Sequence, residues 1–368
     1  MMGSSVSVKI QALESVAEAF TREGFQWAVC NGLEDYPSGI GRDLDIVIEQ
    51  GMLRRALGTA CNTLQNDGWT VLPNLQGWIW WVVVFKKSEN GGFDSLQLDL
   101  FEHLQWAFTW VVDGVGRDGP LVQRGPFLED PAANLGKTLI IGGLSRGSQA
   151  FEKKPEYLEL EADELSFLQP ILKRIGDAPA EPLKEAILQR SPRAINLTFK
   201  KLRSACYLNS LCRSGRLKRF TSVVLKQWVV NIRPKKGGPV VQILGDSIET
   251  TTQIVETIKR ELQNLVYHEV VEYSEAGSLK ERHQQLRRSC LQAVSLYVNC
   301  TPPKGLDPDI ELRIQGEILE FRVNGPDLRH TGRGREDTTI QTLIHQSLNE
   351  YFSFRSNELL KEHSILTN

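Results

Sequence analysis

Asp43–Ile48 (DLDIVI) and Leu96–Phe101 (LQLDLF) alternate polar and aliphatic residues with a period of two. That period belongs to a β-strand, in which residues i and i+2 share a face. Leu44, Ile46 and Ile48 are then expected in a core, with Asp43 and Asp45 projecting together from the other face. Asp99 is the single acid among the apolar neighbours of the second string. Two carboxylates side by side repel each other, and a divalent cation with a preference for hard oxygen ligands relieves that repulsion. If the two strands are neighbours, Asp43, Asp45 and Asp99 converge on one or two metal ions. Such a site can hold a nucleoside triphosphate, activate an attacking hydroxyl and stabilise departing pyrophosphate. The bland alternative is a solvated strand edge whose acids pair with Arg42.

The surroundings of these strings read as an α+β unit. Residues 6–23 carry Ile10, Leu13, Val16, Ala17 and Phe20 at helical spacing, and Gly24 is a stop signal. Residues 26–31 read as a buried strand, 32–42 as a Gly/Pro/Ser loop, and 50–66 as a second helix. Strands are expected at 69–73, 77–87, 94–101 and 106–112. A helix followed by a mixed sheet is not the alternating pattern of a doubly wound fold. Trp78, Trp80, Trp81, Trp106 and Trp110 lie near the acids in sequence, as a stacking platform or as sheet core. His103 is read as a base or phosphate donor, or as a plain loop histidine.

This layout of a short strand, an Asn-Gly loop, GRDLDIVI and a later LQLDLF resembles the nucleotidyltransferase superfamily over roughly residues 8–112. In that superfamily a Gly-Ser pair follows the first strand, two acids lie on the second strand and a third acid on a later one. The resemblance implies that Asp43, Asp45 and Asp99 bind magnesium (Mg2+). It also gives Asp99 a catalytic part in deprotonating the acceptor hydroxyl. Asn31 and Gly32 stand where Gly-Ser is expected, so phosphate binding is assigned to Asn31, Gly32, Ser38 and Gly41, with Gly39 as a further source of amides. The implied partners are an NTP and a saccharide or glycan-precursor acceptor. Glycosyltransferases also use D-x-D motifs, but only about 42 residues precede this one, too few for their usual nucleotide-binding α/β unit.

Residues 130–236 read as mostly helical (131–145, 161–175, 181–190, 193–211, 216–231). Arg233–Pro239 is a basic Pro/Gly linker, and the segment after it alternates strand and helix. There, 239–245 is a strand, 250–264 a helix, 268–273 a strand, 278–299 a long helix, 310–314 and 319–323 a hairpin, and 336–352 a helix. Gly245 and Thr252 fit the ends of a Walker A loop between strand and helix. Thr250 stands for its second glycine, and Thr251 for its lysine. This frame is similar to the thymidylate-kinase-like domain that follows a nucleotidyltransferase-like domain in some bacterial surface-polysaccharide gene clusters. The resemblance implies a degenerate P-loop, a pseudokinase. The basic run 329–335 is the only candidate for a lid. The expected organisation is a nucleotidyltransferase-like α+β domain with a mixed sheet (1–129), a helical region (130–236) and a smaller α/β P-loop-like domain (237–368).

Charge separates one segment from the rest. Between Arg190 and Lys236 stand thirteen Lys and Arg and no Asp or Glu, although the whole chain carries a formal net charge of −2. Apolar residues interleave at near-helical spacing. This reads as basic helices against an anionic membrane surface or another polyanion, or against the protein's own acidic face. Nucleic acid is a poor fit for a chain with so little net charge. The six cysteines include no CxxC pair, and reduced thiols are expected. The longest apolar run is Trp78–Phe85, far short of the roughly 20 residues of a bilayer span. The expected place is the cytoplasm, with contact to the inner membrane face through residues 190–236. The rival expectation to an enzyme is a catalytically silent binding or scaffold protein in polysaccharide assembly.

Overall fold

Helix α1 (Gly3–Arg22) buries Leu13, Val16, Ala17 and Phe20 at i, i+3, i+4 and i+7, and the chain then turns at Gly24 with φ +74°. Phe20 anchors the turn, its ring packed edge-on against Phe25 and Trp27, each at 5.6 Å. The structure is a computed structural model. It describes residues 3–41, 43–76, 79–87, 93–106, 109–149, 151, 160, 165–176, 180–212, 239–262, 270–273, 294–302, 307–315, 318–323, 331–334 and 337–362. The chain divides into two units: Met1–Asp67, Asn74–Val82 and Gln97–Gln227 in the first, and Gly68–Pro73, Val83–Leu96 and Trp228–Asn368 in the second. The described helices of 130–236, drawn in the sequence as a region of their own, belong to the first unit.

The first sheet runs β3-β4-β5-β2-β1-β9-β8. Its strands are β1 (Trp27–Asn31), β2 (Asp43–Ile48), β3 (Thr70–Gln76), β4 (Ile79–Lys87), β5 (Phe93–Phe101), β8 (Val122–Arg124) and β9 (Phe127–Glu129). β2 lies antiparallel to β1 and parallel to β5, so the sheet is mixed, as the sequence implied. Helix α2 (Leu53–Asn66) packs on α1 and buries Ala56, Leu57, Ala60, Cys61 and Leu64. The strand expected at 106–112 is instead a separate hairpin, β6 (His103–Trp106) with β7 (Thr109–Asp113), whose register shifts between Leu104 and Gln105. The short β8–β9 hairpin was not foreseen. It joins the sheet where Glu129 pairs with Val29.

Beyond β9 the chain turns into a helix of unusual build. Asp130 caps it, Pro131–Leu135 is α-helical (α3), Gly136–Ile141 is a π-turn, and Gly142–Arg146 is α-helical again (α4). Helices α5 (Leu168–Gly176), α6 (Glu181–Leu188) and α7 (Pro192–Cys212) follow. Leu139, Ile140 and Leu144 share a core with Ile171, Leu172, Ile187 and Phe199. The helix expected at 216–231 lies outside the described residues.

The second unit's sheet runs β11-β12-β10-β13-β14-β15. Its strands are β10 (Val240–Gly245), β11 (Val270–Tyr273), β12 (Val294–Val298), β13 (Ile310–Gln315), β14 (Ile318–Val323) and β15 (Thr331–Gly334). The first four are parallel, and the β13–β14 hairpin forms as expected. Helices α8 (Ile248–Leu262) and α9 (Asp337–Glu362) share its core through Ile254, Ile258, Ile344 and Phe352. The helix expected to run to 299 cannot do so, because Val294–Val298 is an inner strand paired in parallel on both sides. Within the basic run 329–335, Thr331–Gly334 is an edge strand and not a loop. No helix of the described residues is long and apolar enough to cross a membrane.

Candidate functional site

The parallel pairing of β2 and β5 sets Asp45 directly opposite Asp99, and Asp43 opposite Gln97. Asp45 is 2% exposed and Asp99 5% exposed, so neither belongs to a solvated edge. β2 is buried on both faces from Leu44 to Ile48, which is why its acids sit beneath the surface. Burial pushes the Asp99 carboxyl up to about 7, against the pull of Lys137, and the charge of Asp45 adds to the rise. Gln97 donates its amide to Asp99 Oδ1. On the neighbouring strand, Asn31 pairs in register with Asp45, across a bulge after Val29.

Lys137 completes this pair, and sequence reading missed it. Its ammonium is bonded to Asp45 Oδ1 and lies 3.4 Å from Asp99 Oδ2. It also stands 5.8 Å from the Phe101 ring centroid. The two acids raise the Lys137 ammonium above its ordinary range, although burial pulls the other way more strongly than either acid alone. The lysine is held by the helix described above. Asp130 Oδ1 accepts from Ala133 N–H at 2.9 Å, and its Oδ2 accepts from Gly116 N–H at 2.7 Å. The Asp130 N–H donates to Val29 O at 2.9 Å, tying the helix start to β1. Lys137 falls within the π-turn, a distortion that concentrates at functional sites. A signal was present: Lys137 is the single charged residue between Asp130 and Arg146.

The loop 32–41 begins and ends at this site. Gly41 N–H donates to Gly32 O at 2.8 Å, so the two glycines close the loop's stem. Gly32 has φ +104°, and a Cβ there would meet Asp43 O at 2.6 Å and Leu44 Cδ2 at 2.7 Å. Its N–H donates to Glu34 Oε1 at 3.3 Å. Ser38 spends its hydroxyl on Asp35 O at 2.6 Å, within the loop's own turn. Tyr36 packs edge-on against Phe127 at 5.2 Å, and Arg124 Nη1 donates to Leu33 O at 3.1 Å, pinning the loop to the β8–β9 hairpin.

Of the three acids expected to meet, Asp45 and Asp99 do so directly, and Asp43 stands two register positions along the same strand. Among the described residues no group of three or more His, Cys, Asp or Glu forms a ready-made metal cluster. The donor chemistry of the pair still fits magnesium. Two buried hard-oxygen ligands share one register position, and a cationic group already lies on both. His103 Nδ1 lies 3.9 Å from Glu102 Oε2. It packs edge-on to Trp110 at 3.7 Å, and burial lowers it to about 4. Trp80, Trp81, Trp106 and Trp110 are partly buried in β4, β6 and β7. Trp78 lies outside the described residues.

In the basic segment the structure separates structural from exposed cations. Arg203 Nε donates to Leu144 O at 2.6 Å and its Nη2 to Gly143 O at 3.3 Å, closing the end of α4. Arg193, Lys200 and Lys201 are exposed, and Leu197 beside them is 53% exposed. Residues 213–238 lie outside the described residues.

The loop after β10 is shorter than its sequence suggested. Helix α8 begins at Ile248, so Glu249 and Thr250 are helical, and only Asp246 and Ser247 separate strand from helix. Thr251 is 2% exposed and donates to Ser247 O at 2.6 Å. Its Oγ lies 2.8 Å from where a Gly245 Cβ would stand. Gly245 N–H donates to Asn299 Oδ1 at 2.8 Å.

No protein-family model and no curated protein matches the chain. Among solved structures it is similar to the antibiotic-resistance factor ANT(2'')-Ia, at 11% identity over 50% of this chain and 94% of that one, with a TM-score of 0.26. It is also similar to an antigenic nucleotidyltransferase-like protein from Paracoccidioides brasiliensis, at 12% identity over 55% of this chain and 94% of that one, with a TM-score of 0.31.

Proposed function

We propose that the first unit is a magnesium-dependent nucleotidyltransferase acting on a hydroxyl acceptor. The observation that carries this reading is the buried, directly opposed pair Asp45 and Asp99, with Asp43 two residues away on the same strand. Asp43, Asp45 and Asp99 would hold the metal. When bound, it would supply the positive charge that triphosphate and departing pyrophosphate need. The chain's own groups do the rest. The Gly32–Gly41 stem brings backbone close to Asp43, where a phosphate's approach would otherwise meet side chains. Asp99, whose burial makes its carboxylate a stronger base than an exposed one, would take the proton of the acceptor hydroxyl in its ionised form. Asn31, opposite Asp45, offers an amide at the same end of the sheet.

The second unit is read as a pseudokinase. A phosphate cradle needs several free amides ahead of its helix and a lysine at the helix start. Here two residues make the connection, and the threonine at the lysine position is buried against Ser247. The acceptor is proposed to be a saccharide or glycan precursor, on the sequence resemblance. Exposed Arg193, Lys200 and Lys201 support a peripheral encounter with an anionic membrane surface.

Calorimetric titration with each NTP, with and without magnesium, tests the reading. Binding should need the metal and vanish in Asp45→Asn, and pyrophosphate should be released once a suitable acceptor is added. NTP binding indifferent to both magnesium and Asp45→Asn would overturn it. Metal-dependent binding without pyrophosphate release across a panel of sugar acceptors would favour the silent binding protein, a reading to which the Gly32 amide engaged by Glu34 lends support.

A further inference from the structure

We propose that Lys137 is a built-in counter-ion that competes with the divalent cation for Asp45 and Asp99. The acid pair then alternates between an ammonium-held resting state and a metal-held working state. This inference rests on the reading of Asp45 and Asp99 as metal ligands.

Three observations carry it. The ammonium is already on both acids, bonded to one and 3.4 Å from the other. It arrives from a helix 92 residues beyond Asp45, so folding itself delivers the charge. The helix departs from regular α geometry at the turn that presents it, while its start is fixed by both oxygens of Asp130. A magnesium ion binds carboxylate oxygens at about 2.1 Å. Two cations sharing one pair of buried oxygens would be only a few ångströms apart, where like charges repel strongly. One must leave. The lysine can do so, because a flexible four-carbon stem carries its charge. The fold thus stays intact without metal, and metal entry has a fixed electrostatic cost set by one side chain.

Manganese(II) is the probe, its binding followed by loss of the free-ion electron paramagnetic resonance signal, on the full chain at fixed pH and salt. Lys137→Met should bind manganese at least tenfold more tightly than the wild type. Its melting temperature without metal should be lower, and its rise on adding metal larger. Lys137→Arg should behave like the wild type, since it keeps the charge. Lys137→Gln replaces the methionine variant if that one fails to fold. Equal affinity in wild type and Lys137→Met overturns the counter-ion while leaving the metal site standing. Absence of binding in both at millimolar manganese removes the metal site, and the counter-ion with it.

Discussion

Lys137 Nζ lies 3.4 Å from Asp99 Oδ2 and is also bonded to Asp45, so a single ammonium serves two carboxylates at one register position. The local balance of these three groups, with both acids ionised, is one negative charge in excess. Asp45→Asn brings it to zero and leaves Lys137 with Asp99. Its metal-free melting temperature should match or exceed that of the wild type, because like-charge repulsion is relieved. A fall of more than about 5 °C in differential scanning calorimetry, roughly 1 kcal/mol or more for a domain of modest size, would mark Asp45 as structural.

Gly32 and Gly24 both have positive φ, but only Gly32 is crowded. Gly24→Ala should cost about 1 kcal/mol, the conformational penalty alone. Gly32→Ala adds a collision with the Asp43 carbonyl and should cost about 3 kcal/mol. Urea unfolding of the two variants measures the difference. Equal costs would show that the loop stem yields, and with it the close approach of backbone to the acids.

Asp130 holds the start of the helix that presents Lys137. Asp130→Ala removes the acceptor of the N–H groups of buried Ala133 and half-buried Gly116. The expected loss is about 2–4 kcal/mol. Asp130→Asn retains an acceptor oxygen and should lose about half as much. Thermal denaturation of both variants should rank them in that order.

His103 contributes one part of the pH dependence, opposite in sign to that of Asp99. Burial lowers it to about 4, against an ordinary 6.5, so the folded state resists the proton that the unfolded chain accepts. Its contribution is constant above pH 7 and is lost as pH falls from 6.5 towards 4, by up to about 3 kcal/mol. His103→Phe keeps a ring beside Trp110 and removes the proton. The variant should gain about 2 kcal/mol on the wild type between pH 7 and pH 4.5 in denaturant titrations. Parallel pH curves for the two proteins would contradict the assignment.

Thr251→Lys asks whether the second unit is one lysine short of a phosphate site. Thr251 is 2% exposed and packed beside Gly245, so a longer, charged side chain there is crowded and desolvated. The variant should lose about 2 kcal/mol or more and gain no ATP-dependent thermal shift. A shift of several degrees with ATP would show that the loop opens to a ligand.

The acid-bearing strands were legible because a period of two with acids among aliphatics admits few other structures. Their adjacency was a conditional expectation, and pairing made it real. Lys137 was not legible as a site residue. Its partners lie 38 and 92 residues away, and no local pattern reports such a contact. A run as short as Val294–Val298 fits either a helix or a strand, and only its two parallel neighbours decide the matter. After β10 the Walker A spacing implies a loop through Thr250, whereas the helix starts at Ile248, with Ser247 Oγ accepting from the Thr250 N–H at 3.4 Å.

The π-turn at Gly136–Ile141 separates two obligations that an uninterrupted α-helix would lock together. Upstream, the helix is clamped to the sheet through Asp130. Downstream, Leu144 packs among the other helices. In an α-helix each residue advances the azimuth by about 100°, so one residue removed from this turn would swing every downstream side chain out of its seat. The turn therefore acts as a gauge of chain length. Substitutions on either side can accumulate independently, but insertions and deletions between Asp130 and Arg146 should be the least tolerated length changes in the first unit.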